Sequence, residues 1–175
     1  MNGIFLLLGS NLGDRAAHID SAIEAINHYA GRIVRLSALY RSEPWGFGAQ
    51  PEFYNRLVEL DSDRDPESLM RLLLEIERRQ GRHRRGKWKA RKIDIDILYY
   101  GGVVMVVPGL VLPHPEIQNR RFALVPLCEL VPEMEHPVLK KSHTELLRDC
   151  PDPLGVWLLN QEGVGNGAGK KKAVP

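Results

Sequence analysis

Lys92-Ile93-Asp94-Ile95-Asp96-Ile97-Leu98-Tyr99-Tyr100 alternates apolar and acidic side chains with the period of a β-strand. Ile93, Ile95 and Ile97 face one way and form a core-facing row. Asp94 and Asp96 face the other way, with Cα atoms about 6.6 Å apart by the strand rise. Two carboxylates so placed suit a hard divalent cation such as Mg²⁺, which takes oxygen ligands. The stretch just upstream, Arg78 to Lys92, holds nine Lys/Arg and no acid. A guanidinium-rich belt beside paired carboxylates is what a metal-bound polyphosphate requires. The same residues also read as a solvated polar strand face next to an exposed basic loop, or as a nucleic-acid patch.

Reading outward from that strand gives the element order. Gly3–Gly9 is a short apolar strand, and Ser10-Asn11-Leu12-Gly13-Asp14 supplies turn and N-cap chemistry. Ala16, Ile19, Ile23 and Ile26 recur at helical spacing, with Gly31 as the stop. A strand follows at 33–40, then a loop over 42–51 rich in Gly, Pro and aromatics, then a strand over 53–60. Asp65-Pro66-Glu67 starts a second helix whose core stripe is Leu69, Leu72, Leu73 and Ile76, ending at Gly81. The strand at 92–100 closes the series, and Gly101-Gly102 reads as a hairpin turn into Val103–Val107. A Pro-rich turn (Leu112-Pro113-His114-Pro115), a helix over 122–130 and an amphipathic piece over 144–149 follow.

The order β-α-β-β-α-β predicts an α+β fold with a ferredoxin-like core. Its antiparallel sheet carries both helices on one face and leaves the other free for a site, with an extra C-terminal hairpin and helices. Residues 1–160 read as a single domain. From Gln161 the chain is Gly- and Lys-rich without core residues, and a disordered tail is expected over 161–175.

Composition narrows the partners. The net charge of +2 conceals an asymmetry: outside 78–92 there remain 15 Lys/Arg against 22 Asp/Glu. Positive charge is thus local, as for a small-anion site rather than a nucleic-acid coat. Cys128 and Cys150 have neither metal-ligand spacing nor a disulfide framework, so reduced thiols and a cytoplasmic location are expected. Ile4–Leu8 is too short for a signal or membrane segment. The loop after the first strand lacks the Gly-Lys-Ser/Thr ending of a P-loop.

Seven segments, in order over residues 4–135, resemble one family. They are Leu8-Gly9-Ser10-Asn11-Leu12-Gly13, Tyr40-Arg41-Ser42-Glu43-Pro44-Trp45-Gly46, Gln50-Pro51-Glu52-Phe53-Tyr54-Asn55, and Ile76-Glu77 with Gln80-Gly81-Arg82. Arg91-Lys92-Ile93-Asp94-Ile95-Asp96-Ile97-Leu98, Leu112-Pro113-His114-Pro115 and Asn119-Arg120-Arg121-Phe122 complete the set. Together they resemble the 6-hydroxymethyl-7,8-dihydropterin pyrophosphokinases of folate biosynthesis.

The resemblance implies ATP and two Mg²⁺, with Asp94 and Asp96 as metal ligands and a pterin acceptor. It assigns ATP contacts to Glu77 (in a supporting role), Arg82, Arg84, Arg91, Ile97, His114 and Arg120, and catalytic roles to Arg82, Arg91, Asp94 and Asp96. The pterin is expected between Phe53 and Phe122, read by Asn55, Ser42, Glu43, Pro44 and Trp45, with Asp94 also facing it. Trp88 matches a tryptophan of the catalytic loop. The chain departs from the family pattern at Phe53 (often Tyr), at Glu43 (often Pro), and at Lys89-Ala90 (often Gly-Pro). The expected protein is a monomer acting on small molecules, without nucleic-acid or membrane partners. The loops 43–50 and 82–89 read as lids over the substrates. Two rivals remain at this point: a Mg²⁺-dependent phosphotransferase with another acceptor, and an RNA-binding ferredoxin-like module.

Overall fold

The computed structural model describes residues 3–44, 50–81 and 90–159. Strand β1 (Ile4–Ser10) is buried along its whole length and lies mid-sheet between β4 (Phe53–Asp61) and β5 (Asp94–Tyr100), antiparallel to both. Between β1 and β4 come helix α1 (Arg15–Tyr29), β2 (Arg32–Leu36) and β3 (Tyr40–Ser42). Helix α2 (Pro66–Arg79) connects β4 to β5. Both helix starts use side-chain caps: Asp14 accepts from the Ala17 N–H at 3.1 Å and Asp65 from the Ser68 N–H at 2.8 Å, with Pro66 in the first turn. Ile19, Ala22 and Ile26 of α1 and Leu69, Leu73 and Ile76 of α2 bury against Ile4, Leu6, Leu8, Ile93, Ile95 and Ile97.

The strand expected over 33–40 is broken at 37–39. Ser37 turns its hydroxyl onto the backbone, accepting from the Leu57 N–H at 2.9 Å in place of a carbonyl. The freed Ala38 N–H donates to Glu129, whose carboxylate also takes the Tyr40 hydroxyl at 2.9 Å. A side chain has replaced the backbone ladder, and the gap becomes the dock for the next helix.

That helix, α3 (Arg121–Leu130), corrects a second expectation. With α4 (His143–Asp149) it covers much of the sheet face expected to be free, burying Phe5, Leu7, Leu57, Leu98 and Tyr99 against Ala123, Leu124, Leu127 and Leu146. The site keeps only the end of that face nearest Gly9. The expected hairpin at Gly101-Gly102 also forms differently. The chain turns there, but β6 (Met105–Val107) pairs with β7 (Leu110–Leu112) rather than with β5. The outer edge of β5 is already engaged, because the His114 N–H donates to the Leu98 carbonyl at 2.9 Å. A last strand, β8 (Val156–Leu158), pairs with β3, giving the order β5-β1-β4-β3-β8 with β2 also on β4. Among the described residues, no helix is long and apolar enough to cross a membrane.

The α3/α4 layer contains a buried polar knot. His143 Nδ1 lies 2.7 Å from the Val131 carbonyl, which only accepts, so that nitrogen carries the proton. The neutral ring's Nε2 then accepts from the Tyr99 hydroxyl at 3.0 Å. His136, against the same tyrosine ring, accepts from the Val138 and Leu139 N–H groups. Burial lowers the pKa of both histidines, and for His136 the neighbouring His143 adds to it. The unfolded chain therefore takes up protons that the folded chain refuses. Stability is complete above the ordinary histidine pKa of about 6.5 and declines as pH falls below it. Thermal melts between pH about 7 and about 5 are expected to show this decline, with a shallower slope in His143→Gln.

Candidate active site

The antiparallel register assembles the site. Gly9 lies opposite Asn55 on one side and Asp94 on the other, so three neighbouring strands contribute one row to one face. Tyr40 extends the row beyond Asn55, and Ser42 pairs with Phe53 one step along. Asp96 stands in the next row opposite Leu7. Between Asn55 and Asp94 the row has no side chain, because its middle residue is glycine. A Cβ at Gly9 would lie 3.3 Å from Asn55 Oδ1 and 3.7 Å from the Phe53 ring. The resulting cleft is an open one, about 540 Å³ counted out into its mouth.

Ser42, Glu43, Phe53 and Asn55 wall one side of the cleft, and Arg91, Asp94 and Asp96 another. Phe122, on the first turn of α3, and Arg120 just before it close the third side. Phe53 and Phe122 thus border the same space. Each has an arginine near its ring: Arg91 lies 6.0 Å from the Phe53 centroid and Arg120 lies 5.8 Å from that of Phe122. Asn55 is 2 % exposed and its Nδ2 donates to the Ser42 hydroxyl at 2.8 Å. That bond fixes the amide, leaving Oδ1 on the Gly9 side as an acceptor.

The acidic end is strongly coupled. Arg91 bonds Asp94 at 2.5 Å. Loss of water around Asp96, then the charge of Asp94, push the Asp96 carboxyl up to about 7, against the pull of Arg120. A carboxylate so crowded is stabilised by a cation. Among the described residues no group of three or more His, Cys, Asp or Glu side chains forms a metal cage. Two carboxylates without further protein ligands fit Mg²⁺, which commonly uses one or two and fills its shell with substrate phosphates and water.

The other expected site residues fall as follows. Glu77, 2 % exposed in the last turn of α2, accepts from the Ile95 N–H at 2.7 Å and so pins α2 to the strand bearing the aspartates. Glu77→Ala leaves that buried donor without its acceptor and is expected to cost about 2 kcal/mol in urea unfolding, largely recovered by Glu77→Gln. The Ile97 side chain lies in the α1/α2 core, on the strand face opposite the aspartates. His114 does not line the cleft. Burial, then the Arg120 charge, lower its pKa to about 4. Its Nδ1 accepts from the Glu116 N–H, so the neutral ring holds its proton on Nε2. Pro44 is half-buried outside the cleft lining. Trp45, Arg82, Arg84 and Trp88 lie outside the described residues, as do most of the two expected lids.

Two residues of the 9–13 turn, which the sequence placed near the substrate loops, have roles that were not assigned from sequence. Gly9 forms the floor, and a glycine inside a strand is a signal of close approach that points to it. Asn11, 1 % exposed, accepts from the Arg91 N–H at 2.8 Å and donates to Gln50 at 3.2 Å. It ties the root of one loop to the root of the other; the turn was expected near these loops, but the pairing of Asn11 with Arg91 and Gln50 has no local signal.

Fold and cleft together define a class: a mixed α/β protein that sets paired carboxylates and arginines beside an aromatic-walled slot. Comparison with known proteins narrows it. Residues 5–132 match the model of the family described as 7,8-dihydro-6-hydroxymethylpterin-pyrophosphokinase, and the chain belongs to that family. A 2-amino-4-hydroxy-6-hydroxymethyldihydropteridine pyrophosphokinase of Methylorubrum extorquens is 42% identical over 135 residues, spanning 77% of this chain and 85% of the relative. One of the same description from Aquifex aeolicus is 38% identical over 145 residues, spanning 83% and 90%. Among solved structures, wild-type Plasmodium falciparum HPPK-DHPS with STZ-DHP aligns with a TM-score of 0.70 at 16% identity, which speaks to the fold. That alignment takes in 83% of this chain and 42% of the Plasmodium chain. The present chain thus spans about two-fifths of that structure.

Proposed function

We propose that the protein transfers a diphosphate from ATP to the hydroxymethyl oxygen of 6-hydroxymethyl-7,8-dihydropterin, giving the pterin diphosphate and AMP, in folate biosynthesis. The observation that carries this reading is the row Asn55–Gly9–Asp94, which sets an edge-reading amide and a carboxylate on either side of an open floor. Family membership agrees with it. A flat heterocycle placed over Gly9 meets aromatic walls from Phe53 and Phe122 and the Asn55 Oδ1 acceptor along its edge. Its hydroxymethyl group then reaches toward Asp94 and Asp96.

Asp94 and Asp96 are the residues to hold Mg²⁺, two ions in our reading. Bound there, Mg²⁺ supplies neutralising charge to phosphate oxygens and makes the attacked phosphorus more electrophilic. The pterin oxygen forms a bond to the β-phosphorus, the bond from the α–β bridging oxygen to that phosphorus breaks, AMP departs with the bridging oxygen, and the hydroxyl proton is released. Such transfers depend on positioning and charge stabilisation more than on a protein base. In our reading Arg91 and Arg120, joined by Arg82 and Arg84, clamp phosphate oxygens. His114, neutral with a proton on Nε2, acts as a hydrogen-bond donor to phosphate. Glu77 and Ile97 support the strand rather than touch ATP through their side chains.

We read the core as ferredoxin-like. The path β5-β1-β4-β2, with α1 and α2 packed on one face, supports it once β3 and β8 are set aside as an extension. We further take residues 1–160 as one domain that works as a cytoplasmic monomer without nucleic-acid or membrane partners. The two cysteines are free, in keeping with that location. A phosphorus NMR spectrum of the pterin product, separated from nucleotides, tests the chemistry: two coupled resonances of a diphosphate ester are expected. A single phosphomonoester resonance overturns the reading.

A further inference from the structure

Two walls of the cleft come from the end of β3 and the first turn of α3, elements that meet directly at Tyr40, through Glu129 and Val125, away from the cleft mouth. Helix α3 has no side-chain cap from its own N-cap residue, Arg120. The Arg121 N–H instead donates at 3.0 Å to Asp152 Oδ2, 31 residues further on. Asp152 is 6 % exposed, and its Oδ1 accepts from the Leu154 N–H at 3.1 Å, so the carboxylate also shapes the chain that follows.

Three residues later that chain reaches the opposite wall. The Gly155 N–H donates to Glu43 Oε2 at 2.7 Å and the Glu43 N–H donates to the Gly155 carbonyl at 3.1 Å. Val156 then pairs with Ser42 and buries with Tyr40 and Val125 in a small core that Phe122 also packs against. Trp157 lies over Gly155 so closely that a Cβ there would sit 2.2 Å from the ring, and the Arg41 guanidinium stacks 4.8 Å from the ring centroid.

We propose that residues 152–157 form a strap that sets the separation of the two cleft walls, with Asp152 and Glu43 as positioning residues for the acceptor. The strap holds Phe122 through the start of α3 and holds Ser42 through β3, so together with the Tyr40–Glu129 bond it sets the width of the slot between them. The Glu43 carboxylate, at a position where proline is common in the family, is committed to the strap. Acceptor affinity therefore depends on Asp152, a residue that does not line the cleft.

The inference rests on the pterin reading above, and its test separates the two. KM for 6-hydroxymethyl-7,8-dihydropterin and for ATP are measured for wild type, Asp152→Ala and Asp152→Asn, with pterin binding followed by calorimetry. Asp152→Ala is expected to raise the pterin KM about tenfold, the scale of the buried charge-assisted bonding it loses, and to raise the ATP KM by less, through Arg120 at the start of α3. Asp152→Asn keeps an amide oxygen for the Arg121 N–H and is expected to recover most of the loss. Folded Asp152→Ala with a lowered melting temperature but an unchanged pterin KM overturns the strap. If that variant does not fold, Gly155→Ala carries the test: displacing Trp157 raises the pterin KM if the strap positions the wall, and an unchanged KM overturns it. Wild-type protein that binds no pterin overturns the functional reading instead.

Discussion

Asp96→Ala is expected to lower pterin-dependent AMP formation by about a thousandfold or more, the scale on which loss of one preorganised charge-stabilising group is felt. The argument is electrostatic. Asp96 is half-buried on the cleft wall and crowded by Asp94, which raises its carboxyl pKa in spite of Arg120 and is unfavourable for a carboxylate that has no metal to serve. Holding it there is costly unless the site gains from it when Mg²⁺ and phosphate arrive. The same argument gives a second readout. Removing the charge relieves repulsion, so Asp96→Asn is expected to keep or raise the melting temperature in Mg²⁺-free buffer while losing activity. Activity retained above a tenth of wild type would exclude the metal-holding role.

Asn55→Ala is expected to lower kcat/KM for the pterin at least about a hundredfold, because a site built to hydrogen-bond its substrate discriminates strongly once that bond is lost. Asn55 is buried, and the Ser42 hydroxyl fixes which way its amide faces. The substitution removes the acceptor and leaves Ser42 without its partner. The ATP KM is expected to stay within about twofold, since Asn55 stands across Gly9 from the acidic end. Steady-state kinetics with each substrate varied in turn checks this. Equal losses toward both substrates would place Asn55 in the fold rather than in acceptor recognition.

Much of this arrangement was legible in the residues. Asp94 and Asp96 declare a shared face by strand alternation; the other end of the candidate site, Phe53 and Asn55, was expected only through the family resemblance, because a strand phenylalanine reads first as core. The capped starts of α1 and α2 and their apolar stripes follow from Asp14, Asp65-Pro66 and helical spacing. The missed features depend on side chains acting far from their own segment. Ser37 interrupts a strand by bonding the Leu57 backbone, which its apolar neighbours do not disclose. The β6–β7 pairing arises because His114 occupies the edge of β5. Helix α3 was expected as an element, but its place on the supposedly free sheet face depends on Glu129 reaching Ala38 and Tyr40. The Glu43–Gly155 link joins residues 112 apart, beyond any local pattern. Glu77 was expected in a supporting role near ATP; its backbone partner, the Ile95 N–H, lies 18 residues away and has no local signal.

The measurement that bears most directly on the central claim is nucleotide product analysis. Wild-type protein is incubated with Mg-ATP, with and without 6-hydroxymethyl-7,8-dihydropterin, and AMP and ADP are quantified. The account predicts AMP equal in amount to the pterin consumed, almost none without pterin, and almost none with Asp96→Ala. ADP as the pterin-dependent product, or AMP formed equally without pterin, would contradict it.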